Sequence, residues 1–415
     1  MRRAWTRLLA TVVASVIATT LVSLGAVVDA QPKVTIVHWQ HFHEGRAAAL
    51  KALIPAFQGE NPGITIVTDL PPYEQYFDKL LAALAAGTGP DVFQVPMEMA
   101  EQLINGGYLA PVPESVATTA EIERRYLRWT TARFKKGGKY YGLPTDVQHL
   151  VLYINNDLAR EAGLDPANPP RTWDDLIAQA RKATKRDAQG NIVQAGLDTR
   201  YKWAVYTALL YQFVEGPVID AAAKRATYDS PQGIAAWKVV EQLLRGPNAV
   251  DSPRFMPGQR KFELKRAVFY INHPVARSVI ARIGPDIKYT IAPVPAIKGK
   301  RPVAPGHHWA YVVNARSKNQ EAAWRWVKYL ASERAVRTWM RVAGDLPSLV
   351  ELLPTEPDPV VRESVKLVRP VDYIGVCDPI RNDLFDAIAL TTRPVEDLVR
   401  EAVQKENTCV QQALR

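Results

Sequence analysis

The 415 residues carry 52 Lys and Arg against 42 Asp and Glu, a formal charge of +10. Acids are interleaved with the basic residues along the whole length, which excludes the concentrated stripe of a nucleic-acid binder and leaves a mild balance that would suit an acidic ligand or surface. The chain is too long for one core, so two lobes are expected.

The first segment reads as a secretory leader. Arg2, Arg3 and Arg7 precede an almost uninterrupted apolar run from Leu8 to Val28, and Val28-Asp29-Ala30 ends it with a cut expected before Gln31. A membrane anchor is the competing reading, since the run is nearly long enough to span, but it ends in a cleavage-like site and not in a basic stop. Three Arg and one Asp would leave with residues 1–30, lowering the charge to +8. No cysteine follows the cut, so the mature protein is expected to be exported, soluble, periplasmic and not a lipoprotein.

Strands and helices then alternate. Val34–Trp39 has the length of a strand, and from Glu44 the residues Leu50, Leu53, Ile54 and Phe57 fall at helical spacing. A turn at Asn61-Pro62-Gly63 leads to a second strand, a helix from Tyr73 carries Phe77, Leu80, Leu81 and Leu84 on one face to Gly87, and "PDVFQVP" is a third strand. This order implies right-handed crossovers and parallel sheets flanked by helices. "YYGLPTDVQHLVLYIN" reads as strand, turn, strand; Thr172 with Asp175 makes a capping-box-like helix start. Helices are expected near 202–213, 231–244, 319–332 and 395–405, with "KYTIAPVPAIKGK" and "WAYVVNARSKN" extended. No linker separates the lobes, so the chain is expected to cross between them several times. Cys377 and Cys409 are the only cysteines; in an oxidising compartment they read as one disulfide, the alternative being two buried thiols.

Catalytic groupings are missing from the sequence. There is no G-x-S-x-G elbow and no P-loop, and His43-Glu44 lacks the second histidine of H-E-x-x-H. "GTGPDV" lacks the third glycine of a dinucleotide loop, and Asp174-Asp175 is explained by a helix start. The chain is therefore read as a non-enzyme with no cofactor and no metal.

An ordered set of stretches carries a resemblance. "FQGENPGITIV", "LAALAAGTGPDVF", "GKYYGLPTDVQHLVLYINNDLAREAGLDPANPPRTWDDL" (with Asn156 where Lys is usual), "AVFYINHPVARSV", "VNARSKNQEAAWRWVKYLAS" and "GDLPS" run across nearly all of the mature chain. In this order they resemble the extracellular solute-binding proteins of ABC importers, in the sugar-binding family that includes maltose-binding protein. The resemblance implies a two-lobed α/β fold, each lobe a mainly parallel sheet flanked by helices, with the ligand in the cleft between them. Mapped onto this chain, the N-lobe takes 33–145 and 293–340 and the C-lobe 146–292 and 341–415. It further implies a monomer that captures a mono- or disaccharide, or a derivative, by hinge closure and hands it to membrane permease subunits.

The resemblance also implies a site. The loop after the first strand places Trp39, Gln40, His41, His43 and Glu44 at the cleft, where sugars need flat apolar faces and planar polar groups; core packing for Trp39 and solvated loop histidines are the plain alternatives. Tyr73 is preferred over Tyr76, and Glu98 over Met97 as an acid for hydroxyls. Asp146 and Gln148 fall at the first crossover, where hinge hydrogen bonding explains them equally well. Trp203 either stacks a sugar or fills the core. Asn272 and His273 mark a departure, because Val275 stands where the family often has an aromatic after Pro274; a stacking platform is missing, which argues against a long oligosaccharide. His307, His308 and Trp309 form another cleft-facing loop, while Gly344 and Asp345 fall at the last crossover and Arg341 reads as a surface charge. The competing uses are a glycerol-phosphate-type anion, zinc on His41, His43 and a third ligand, and a secreted glycosidase.

Overall fold

A computed structural model of the chain describes residues 33–414; the expected leader, 1–30, lies outside them. The first lobe begins β1 Val34–Trp39, α1 Glu44–Glu60, β2 Ile64–Asp69, α2 Tyr73–Ala86, β3 Val92–Pro96, α3 Met97–Asn105. The helical spacing reads true: Leu50, Leu53 and Phe57 of α1 and Leu80 and Leu84 of α2 are buried. Gly87 ends α2 in the left-handed region at φ 74°, where a residue without Cβ is unstrained.

The chain then leaves through three consecutive strands, β4 Leu143–Pro144, β5 Asp146–His149 and β6 Val151–Asn155, each in a different sheet. The second lobe continues with α4 Trp173–Ala183, β7 Lys185–Arg186, β8 Ile192–Asp198, α5 Lys202–Phe213, α6 Pro231–Leu244, β9 Ala267–Asn272, α7 Ala276–Ile283 and β10 Tyr289–Pro293. The Thr172–Asp175 capping box of α4 has both of its reciprocal hydrogen bonds. The return runs through β11 Ala304–His307 and β12 Trp309–Val313 to α8 Gln320–Leu330, and then through β13 Leu346–Pro347 and β14 Val368–Pro370 to α9 Asp378–Leu390 and α10 Val395–Ala413. Val294 still packs in the second lobe's core, with Ile297 and Val303 against it, so this return crossing falls at 304–307 and not at 293.

The first sheet is ordered β2-β1-β3-β12-β4, the second β10-β6-β9-β8-β7, and a third, between the lobes, β13-β5-β11-β14. The first two are mixed, not mainly parallel. Parallel pairing holds where a helix links neighbours, as for β1 with β2 and for β8 with β9. Strands entering from the other lobe arrive from the opposite end and pair antiparallel, as β12 does with β3 and β6 with β9 and β10. α10 runs past the expected 405 to Ala413 because Glu406 and Val410 are buried, and a disulfide joins Cys377 to Cys409 on it.

Candidate functional site

The loop after β1 is set by its register. His38, still in β1, is fully buried; its Nδ1 accepts from Trp326 Nε1 at 3.0 Å. An indole N–H only donates, so the ring is a neutral tautomer, and burial holds it down from 6.5 to about 4. Two residues on, Gln40 Oε1 accepts from Tyr311 while its Nε2 has no partner. His41 turns its ring to Trp309 at 4.4 Å and meets Tyr73 edge-on at 5.4 Å.

Trp309 is fixed from behind by a buried ion cluster that joins three parts of the chain. Arg46, on the first turn of α1, pairs with Asp146 of β5 and, at 3.0 Å, with Asp345. Gln148 Nε2 donates to both acids at 2.7 and 3.2 Å. Asp146 accepts the Trp309 backbone N–H at 2.9 Å. Burial alone would lower the Arg46 guanidinium, but Asp345 and Asp146 hold it up, whereas burial raises Asp345 from 3.8 to about 6 against that pairing. One cation already answers two carboxylates, so Arg46 has no charge to spare for an anion.

The second lobe brings Trp203 of α5, which stacks on Tyr201 and meets His307 at 5.4 Å and His273 at 5.6 Å. His273 Nδ1 faces the His149 carbonyl at 3.3 Å, leaving Nε2 to accept from the Tyr201 hydroxyl at 3.1 Å. Burial holds His273 at about 4. His307 is 6.2 Å from Trp309, and its Nδ1 is 3.6 Å from Glu98 Oε1. Burial, and after it Asp378, raises Glu98 from 4.5 to about 8; its Oε2 is buried without a partner. Both lobes therefore face one cleft with aromatic rings, neutral imidazoles and uncommitted polar atoms.

The family model for bacterial extracellular solute-binding proteins matches residues 43–337. The chain belongs to that family. Among relatives of this solute-binding protein, a putative binding protein of Brucella abortus is 24% identical over 301 residues, 70% of each chain. The maltotriose-binding protein of Pyrococcus abyssi is 22% identical over 323 residues, 77% of this chain and 67% of the relative. A Thermotoga lettingae ABC transporter solute-binding protein solved with alpha-D-tagatose superposes with a TM-score of 0.77 at 23% identity, covering 91% of this chain and all of that one. The two-lobed periplasmic-binding fold is thereby established.

Not every expected residue of this solute-binding protein reaches the cleft. His308 is the clearest departure: it lies between His307 and Trp309 on an extended segment, so it points to the other face, into Trp129 and Phe134 at 5.7 and 5.6 Å. Trp39 sits beneath Lys79, 4.5 Å from its ring centroid. Glu44 is taken up by Arg282 of the second lobe at 2.7 Å, and Asn272 by Tyr270 and the His273 backbone. His43 stands at the N-cap position of α1 without a capping hydrogen bond, its Nδ1 unpartnered, and burial holds it at about 4. Gly344 adopts φ 78° where its corner meets Val275 and Ser278. Among the described residues no three His, Cys, Asp or Glu converge as metal ligands, and no helix is long and apolar enough to cross a membrane. Arg46, Tyr201 and Asp378 were not expected from the sequence; an arginine in the first turn of an apolar helix was the one available signal for Arg46.

Proposed function

We propose that this protein is exported to the periplasm, binds a mono- or disaccharide between its lobes as a monomer, and delivers it to an ABC permease by hinge closure. The observation that carries this reading is the pairing of aromatic faces with uncharged hydrogen-bonding groups from both lobes. His41, Tyr73 and Trp309 stand on one side, Trp203 and His273 on the other, with His307 between. Aromatic rings cover the C–H faces of a sugar, and neutral imidazoles and amides exchange hydrogen bonds with its hydroxyls. The maltotriose-binding and tagatose-bound relatives support the same class. Paired Arg46 and neutral histidines count against a phosphate, which needs converging uncommitted cations.

A thermal-shift panel of sugars, sugar alcohols and phosphorylated polyols tests it. A sugar at 100-fold over its Kd adds about 2.7 kcal/mol of stability. If glycerol phosphodiesters shifted the melt and no sugar did, the carbohydrate reading would fail.

A further inference from the structure

Two acids, Glu98 with 7% exposure and Asp378 with a side chain 25% exposed, come from elements of opposite lobes that pack on one another. Glu98 lies on the first turn of α3, and Asp378 begins α9. The segment before Asp378 packs directly on α3: a Cβ added at Gly375 would stand 3.1 Å from Met99 and 3.6 Å from Glu98. Asp378 is bonded to Arg381, but the same guanidinium also serves buried Glu406, so one cation again answers two carboxylates. Arg133, on the other side, is engaged with the Tyr373 carbonyl at 3.4 Å. Glu98 is 7% exposed, and its Oε2 has no hydrogen-bond partner.

The surroundings suit a cation. The Tyr201 phenol is pushed up first by burial and then by nearby groups that include both acids. Closing the lobes on a neutral sugar confines two carboxylates of like charge in a low dielectric, which penalises ionising both. A ligand ammonium removes that penalty: it has three donors for the two acids and a phenol oxygen, and π faces attract it.

We propose that the ligand is an amino sugar whose protonated amine is held between Glu98 and Asp378. This rests on the carbohydrate reading above and narrows it. Isothermal titration calorimetry of the mature chain at pH 6.5 would compare glucosamine, galactosamine, mannosamine and glucosamine-containing disaccharides with their neutral parents and N-acetyl forms. A charge-assisted contact of this kind makes the amine bind roughly ten- to a hundredfold tighter than its neutral parent, and N-acetylation removes the gain. Glu98→Gln, checked for folding by circular dichroism, collapses the amine-to-neutral ratio; Asp378→Asn, checked in the same way, is the second variant. Neutral parents binding as tightly as the amines would overturn the proposal while leaving the carbohydrate reading in place. An amine preference that survives in both variants would overturn it too. If neither series binds, the carbohydrate reading falls and takes this one with it.

Discussion

Replacing Arg46 by Met leaves Asp146 and Asp345 facing each other in the protein interior. The side chains of all three are at most 5% exposed, and removing one partner from such a cluster costs about 3–5 kcal/mol. The loss should depend on pH. Burial already raises Asp345 from 3.8 to about 6 with Arg46 present, and without the guanidinium it rises further. A carboxyl whose folded pKa lies above its unfolded value contributes stability at low pH that is lost as pH rises through the folded value. Arg46→Met should therefore be more damaging at pH 8 than at pH 5, where a carboxyl can take up a proton. Urea unfolding at the two pH values measures both effects. A loss under about 1 kcal/mol at pH 8, or equal losses at the two values, would refute the view that Arg46 is held by unscreened buried charge.

The other expectations follow from single contacts. His308 is held at about 4 by burial, so its contribution is complete above pH 6.5 and is lost as pH falls toward 4. His308→Phe should accordingly lose about 2–3 kcal/mol less between pH 7 and 4.5 than the parent, and parallel acid slopes in denaturant titrations would count against this. Tyr73 is half exposed, so Tyr73→Ala should leave the melting temperature unchanged while calorimetry shows sugar affinity falling by up to about tenfold; unchanged affinity removes Tyr73 from the site. Replacing both Cys377 and Cys409 by Ser frees a loop of 32 residues and should cost about 3–4 kcal/mol in urea unfolding. The exposed Glu44–Arg282 pair should be worth less than about 1 kcal/mol, so Glu44→Gln should barely move the melt and even less in high salt.

The candidate site was legible in part, and the residues that were missed share a reason. His41, Tyr73, Glu98, Trp203, His273 and Trp309 follow strand ends or begin helices at the cleft, positions that the family resemblance picks out. Arg46 has no such marker, because its partner Asp345 lies 299 positions away. Asp378 gains its place only through the packing of Gly375 on α3. His308 was misplaced because a histidine pair on an extended segment sends one ring to each face, and only the neighbouring sheets decide which face is the cleft.

The sequence by itself determined the elements and their order. Helical spacing in α1 and α2, the capping box at Thr172 and the left-handed end at Gly87 are set by interactions within a few residues, so they can be read without a partner. Only the tertiary structure decided the direction in which β12 and β6 pair, the position of the return crossing and the charge state of the cleft. Each depends on groups far apart in the chain. Strand direction follows from the end at which the chain re-enters a lobe, and the neutral histidines and raised acids follow from how completely the two lobes bury them.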